Sequence, residues 1–239
     1  MAANSKAYRA SHIDRSAYVN RFKARLAHFR FFIYQGHPGV GKTSLILRLS
    51  EETRRAGLKH QIYLRLWPGE SIQSLYARVA ARLFKTNEAP VVSEPCSGLL
   101  KLLSDKETAL VLDDLHLLGR ESLIPLIRML GSFRGSYCII AACQDLPELP
   151  STISTFMHIE RVGPFTQEEV LEIAQGFDLN EESTELIGQE AERGGIVCHP
   201  LSLTYLLSLC PNDLPSPEFF AQYSARSKSS FKSLYQEIQ

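Results

Sequence analysis

Apolar residues along the 239-residue chain fall into two kinds of pattern, and their order predicts the architecture. Short apolar runs occur at residues 30–35, 61–66, 108–113, 137–142 and 155–160. Runs of this length bounded by turn formers read as strands, and unbroken ones as strands buried on both faces of a parallel sheet. Between them, apolar positions recur every three or four residues. Tyr18, Phe22 and Leu26 do so within 16–28, and Ile72, Leu75, Tyr76, Val79 and Leu83 within 71–84. A third such stretch runs from residue 44 to an end near Gly57. These are helical stripes. Residues 86–95 are rich in turn formers and read as a loop, 99–103 as a short helix and 121–130 as another helix. The alternation predicts an α/β fold: a parallel five-stranded sheet flanked by helices.

After residue 164 the pattern becomes wholly helical, at 167–175, 181–193 and 200–209. The expected organisation is a flexible N-terminus over 1–12, an α/β core over 13–164, a small α-helical lid subdomain over 165–212 and a C-terminal tail over 213–239. Within that tail, residues 231–238 read as a helix with no domain left to pack on.

Composition changes this picture little. Lys and Arg number 26, as do Asp and Glu, and a zero balance argues against a dedicated nucleic-acid binder. A local basic face remains open, since Arg21, Lys23 and Arg25 surround the first helical stripe. The five cysteines form neither C-x-x-C nor a metal spacing, so they read as reduced and structural, with a cytoplasmic location expected. The chain has no apolar signal core and no 18-residue apolar run, so no membrane partner is expected.

Chemistry enters directly after the first strand. Gly36-His37-Pro38-Gly39-Val40-Gly41-Lys42-Thr43 satisfies G-x-x-x-x-G-K-[ST], and a helical pattern starts at Ser44. Glycines let such a backbone curl with its N–H groups facing phosphate oxygens, and the helix N-terminus adds donors and a positive dipole end. Lys42 reaches the β- and γ-phosphates, and the Thr43 hydroxyl ligates Mg²⁺. Residues 36–44 and a nucleoside triphosphate are thus the expected pair. A phosphate loop needs a metal partner, and the buried run ending in Asp113-Asp114 offers one. Asp113 is expected to hold Mg²⁺ together with Thr43. Asp114, beside it, is expected to orient or deprotonate the attacking water; with Lys42 it is the catalytic candidate. Asp is shorter than the Glu that fast ATPases place there, so slow hydrolysis is expected. No separate N-K-x-D motif reads guanine, which favours ATP and ADP. His37 and His116 have neither a carboxylate partner nor a metal spacing in the sequence and are assigned no role.

Around these residues the chain resembles the STAND class of signalling NTPases, which contains the NB-ARC and NACHT families within the AAA+-like lineage. His12-Ile13-Asp14-Arg15 is similar to the hydrophobic-Gly-Arg motif upstream of their phosphate loop, with Asp14 where Gly is usual. Residues 110–115 are similar to their Walker B segment. Residues 135–145 are similar to the NB-ARC sensor strand, whose Thr-Thr-Arg arginine reads the γ-phosphate; here that position falls on Cys143 or Gln144, neither cationic. Residues 194–203 resemble the G-x-P motif of the helical subdomain, with Pro200 as the proline that packs on nucleotide and Cys198 in place of the glycine. The resemblance implies that Arg15 and Pro200 join the nucleotide site, and that ADP and ATP bias a regulatory switch with protein partners or self-assembly. Such proteins continue into a winged helix, a repeat sensor and an effector domain. By this likeness residues 231–238 read as the first helix of a winged domain.

Two other readings stand beside the switch. One is an AAA+ ATPase that oligomerises on DNA, of the helicase-loader or transposition-regulator type, with Arg128 and Arg134 as candidate arginine fingers. The other is a scaffold that binds nucleotide without hydrolysis. No Arg-rich lid of the sort that clamps a phosphoryl acceptor is visible, which disfavours a small-molecule kinase.

Overall fold

In the computed structural model, five parallel strands are ordered β2-β3-β4-β1-β5. They are β1 (Phe31–Gln35), β2 (His60–Arg65), β3 (Thr108–Asp113), β4 (Cys138–Cys143) and β5 (His158–Arg161). The structure describes residues 15–85, 92–133, 135–146, 149, 155–175, 181–194 and 196–209. Residues 1–14, Arg134 and residues 210–239 lie outside these, and so do the expectations placed on His12, Ile13, Asp14, the N-terminus, the tail and residues 231–238.

Burial follows strand position. Every residue of β3 and β4 is buried, as are the first four of β1. The edge strands β2 and β5 mix buried and exposed positions, because one flank of each faces no neighbour. Alternate side chains then build two cores. Phe31, Ile33, Leu110, Leu112, Ile139 and Ala141 pack on one face beneath α3 (Ile72–Phe84), α4 (Pro95–Asp105) and α5 (Arg120–Ser132). Phe32, Tyr34, Val111, Ile140 and Ala142 pack on the other with α1 (Ser16–Arg25) and α2 (Lys42–Arg55). Helices on both faces explain why the central strands carry no polar side.

The fourth helix is longer than the expected 99–103. Pro95 opens it in the first turn, where the missing N–H costs nothing, so a residue that reads as a loop former is a helix start. The first helix ends at Arg25 rather than His28, and the fifth strand starts at His158 rather than 155. Two 3₁₀ turns, Leu115–Leu117 and Ile196–Cys198, were not expected, since three residues show no period.

Contacts divide the chain into two units, one closing at Gly163 and the other taking up at Pro164. In the second, α6 (Gln167–Gln175), α7 (Glu181–Glu192) and α8 (Pro200–Leu209) enclose their own cluster of Val170, Ile173, Ile187, Val197, Leu203 and Leu206. No described helix is long and apolar enough to cross a membrane.

Candidate functional site

The turn between β1 and α2 is shaped by glycines for separate reasons. Gly39 and Gly41 hold φ of 79° and 82°, the left-handed region, and Gly41 caps α2 so that Lys42 and Thr43 open the helix. Gly36 has an ordinary φ, but a Cβ there would lie 2.5 Å from the carbonyl oxygen of Val162, just past β5. Its N–H donates to the Cys143 carbonyl at the end of β4 (3.2 Å), so the loop leaves β1 between the ends of two strands.

Lys42 is buried and its ammonium donates to the carbonyls of Gly36 (2.7 Å) and His37 (2.8 Å). Burial pulls its pKa below the ordinary lysine value, and Cys143, Asp113, Asp114 and Asp145 oppose that pull. His37 is an exposed residue of the loop, and Ser44 is exposed in the first turn of α2, whereas Val40 is buried beneath the loop. Pro38 occupies the turn between them. Arg15 reaches the loop from behind. Its buried guanidinium donates to the carbonyl of Val40 (3.1 Å) and to that of Gly163 (3.2 Å). Arg15 thus ties the loop to the segment after β5.

β4 lies between β1 and β3, yet the loop and the acid pair still meet. Thr43 Oγ1 donates to Asp113 Oδ2 at 2.8 Å. Tyr63, reaching from β2, donates to the same oxygen at 3.0 Å, and burial with the neighbouring carboxylate pushes its phenol up to about 12. Asp113 Oδ1 accepts the backbone N–H of Asp114 (3.1 Å). Asp114 takes a left-handed backbone (φ 60°) and its Oδ2 accepts from Arg65 Nε at 2.8 Å. Both acids thus accept from β2, and Asp113 also accepts from the loop. Positive φ is uncommon at a non-glycine residue, and Asp is among the types that adopt it with least penalty.

At the end of β4, Cys143 is buried and its thiol is pushed up to about 12, so it is a neutral thiol beside Lys42. The Gln144 N–H faces His116 Nδ1 at 3.5 Å, which joins the 3₁₀ turn after the acids to the tip of β4. Gln35 donates to Asp145 at 3.2 Å across the β1–β4 pair. Pro200 is buried at the start of α8 in the helical unit, with Thr204 donating to its carbonyl (2.9 Å). Arg128 is exposed on α5. Tyr63 and Arg65 went unnoticed in the sequence. Their only signal was their place on β2, two and zero residues from the strand's carboxyl end.

The donor set tests the expected metal. Thr43 Oγ1 and a carboxylate oxygen stand within one hydrogen bond of each other, and hard oxygen donors with substrate phosphates are what Mg²⁺ takes. Among the described residues no group of three or more His, Cys, Asp or Glu converges, so no all-protein metal cage competes with that reading.

No curated protein matches the chain significantly. Solved structures share the fold. Cdc6p of Pyrobaculum aerophilum is 16% identical, with 82% of this chain and 61% of that one covered at a TM-score of 0.59. The RuvB Holliday junction branch migration motor of Thermotoga maritima is 17% identical, with 87% and 65% covered at 0.50. A STAND protein of Pyrococcus horikoshii with a tetratricopeptide repeat sensor is 12% identical, with 87% and 32% covered at 0.59. The chain spans less than two thirds of each of these proteins. At such identities the likeness concerns the fold alone. In sequence, residues 27–149 match the AAA domain, a stretch that takes in β1, the phosphate loop, the acid pair and β4. The chain belongs to the AAA domain family of P-loop NTPases.

Proposed function

We propose that the chain is an ATP- and ADP-binding regulatory module that switches on nucleotide state and hydrolyses ATP slowly with Mg²⁺. One observation carries the reading: Asp113 on β3 receives the hydroxyl of Thr43 from the phosphate loop, across an intervening strand. That contact unites the two halves of a phosphate-and-metal site.

In this reading residues 36–44 wrap the phosphates, and Lys42 exchanges its two loop carbonyls for phosphate oxygens. Recovering anionic partners would raise its lowered pKa, so the ammonium is poised for anions. Thr43 and Asp113 would hold Mg²⁺, which neutralises charge developing on the phosphoryl oxygens. Arg15 braces the loop from below through Val40 and acts on nucleotide indirectly. Asp114 would take the proton of the attacking water, and Pro200 would contact nucleotide from the helical unit.

Slow turnover is supported on two sides. Arg65 occupies Asp114 in an ion pair, and the end of β4 presents Cys143 and Gln144 where a cation would read the γ-phosphate. The test is calorimetric titration with ATP and ADP, with and without Mg²⁺, beside single-turnover phosphate release. Tight Mg²⁺-dependent binding with slow release supports the switch. A turnover faster than about 10 s⁻¹, the middle of ordinary enzyme rates, would remove it.

A second reading, a motor or loader that assembles on DNA, is favoured by the fold likeness to the branch migration motor and by exposed Arg128. DNA-stimulated hydrolysis with a steep salt dependence would select it.

A further inference from the structure

The sheet releases the chain just before the α/β unit closes. β5 ends at Arg161, and the Val162 N–H still donates to the Gln35 carbonyl of β1 (2.7 Å). Gly163, the last residue of the unit, is held by side chains from the start of α1 instead. Its N–H donates to Tyr18 Oη (3.3 Å), and that hydroxyl donates in turn to the Arg161 carbonyl (3.2 Å). Its carbonyl accepts from both terminal nitrogens of Arg15, each at 3.2 Å. Nothing lies within 4 Å of where a Gly163 Cβ would stand, so no packing on that side supplements these bonds.

The same arginine reaches the phosphate loop. Its Nη2 is shared between the carbonyls of Gly163 and Val40 (3.1 Å to Val40), so a shift of one carbonyl is felt at the other. Val40 is itself tied to the phosphate-binding ammonium. Its N–H approaches the His37 carbonyl at 3.4 Å, and Lys42 donates to that carbonyl at 2.8 Å. A line of hydrogen bonds therefore runs from Lys42 through His37, Val40 and Arg15 to Gly163. Further along, α1 is fastened on both flanks. Lys23 pairs with buried Glu52 of α2 (3.1 Å), while Arg21 and Arg25 bond Glu160 and His158 of β5. The helix is anchored as one body between the helix that follows the loop and the strand that leads to Gly163.

We propose that α1 couples the phosphate loop to the joint at Gly163, with Arg15 and Tyr18 as positioning residues that touch no phosphate. Occupancy of the loop then changes how firmly Gly163 is held, and with it the chain's entry into the helical unit at Pro164. The inference rests on the nucleotide reading above, in which Lys42 leaves its loop carbonyls for phosphate oxygens. Once the His37 carbonyl has lost the ammonium, the turn from His37 to Val40 readjusts and the shared guanidinium follows Val40. A coupling of this kind needs only that the two states of the loop hold Gly163 with different free energies.

Amide hydrogen exchange at Gly163 tests this on the full chain labelled with ¹⁵N-glycine, the signal being assigned through Gly163→Ala. Exchange is compared without nucleotide and with a non-hydrolysable ATP analogue plus Mg²⁺, while calorimetry under the same conditions reports binding. In wild type the two rates should differ by about fivefold or more, the scale of one hydrogen bond. Tyr18→Phe keeps the ring and removes the hydroxyl; Arg15→Lys keeps the charge and gives up the two-nitrogen fork. Melting curves confirm that each is folded, and Tyr18→Phe alone suffices if Arg15→Lys is not. Tyr18→Phe should bind the analogue as wild type does, yet the ratio of bound to free exchange should fall to about one in either variant. A purely structural brace would speed exchange equally in both states and keep the ratio, and that result overturns the proposal. Bound analogue with unchanged Gly163 exchange in wild type overturns the coupling and leaves the nucleotide reading standing. Absence of any binding heat removes the nucleotide reading and the coupling with it.

Discussion

Arg65 Nε donates to Asp114 Oδ2 at 2.8 Å, and this pair joins the exposed edge strand to the second acid of the site. The guanidinium is three-quarters exposed while the carboxylate is mostly covered, so whatever reaches the sheet edge can draw the arginine away. An exposed pair contributes little to stability. Its consequence is for chemistry: a carboxylate neutralised by Arg65 is a poorer proton acceptor for water. Arg65→Ala should raise single-turnover phosphate release by a few-fold with little change in the melting temperature. Asp114→Asn should remove turnover in either background. A fall in rate on removing Arg65 would show that the arginine assists catalysis instead.

Tyr63 and Thr43 both donate to one oxygen of Asp113. Tyr63→Phe removes one hydroxyl and leaves the strand intact, at about 1 kcal/mol for a lost hydrogen bond in a half-exposed place. Freed of one donor, the carboxylate should bind Mg²⁺·ATP more tightly by a few-fold, with no change in affinity for ATP in EDTA. Titrations in both conditions check the difference.

Gly36 tolerates no side chain because its Cβ would stand 2.5 Å from a backbone oxygen, which cannot swing aside. Gly36→Ala should cost about 1–3 kcal/mol, the usual range for forced overpacking, and lower the melting temperature by several degrees. Gly163→Ala, where nothing lies within 4 Å, is the matched control and should change little.

How much of this was legible follows from which residues carry period and which carry geometry. The apolar runs ending at Asp113 and Cys143 read as buried strands because both faces are covered by helices, and that lack of a polar side is itself a sequence signal. The phosphate loop was readable because its fixed positions, Gly36, Gly41, Lys42 and Thr43, each have one chemical task. Strand order was not readable: nothing in the residues of β4 says that it separates β1 from β3. For the same reason Tyr63 and Arg65 were invisible, since their roles come from β2 lying beside β3 with Arg65 paired to Asp113 in register. Pro95 misled because a turn former also begins helices.

The titrating groups set a pH window. Burial raises the Cys143 thiol from 9.0 to about 12. It is also the main force raising the phenols of Tyr63 and Tyr137 from 10.0 to about 12. The folded chain keeps these groups neutral while an unfolded chain would ionise them. Their contribution is therefore whole below pH 9 and declines as pH rises toward 12. His158 has the opposite sign: burial first, then Arg25 at 2.8 Å, lowers its pKa below 6.5. Its contribution is present above pH 6.5 and is lost as pH falls through the lowered value. Urea midpoints should form a plateau between these limits, and His158→Gln should flatten the acid limb only. A midpoint that keeps rising above pH 10 would contradict the alkaline assignment.

Lys42 carries the central claim, since its ammonium now bonds the carbonyls of Gly36 and His37 in the loop where phosphates would lie. The deciding measurement is calorimetric titration of ATP into wild type and Lys42→Ala, with melting curves confirming that both are folded. The account predicts that the variant loses affinity by about 100-fold, the scale of one charge-assisted contact to a buried anion. Equal affinity in the two proteins would contradict it.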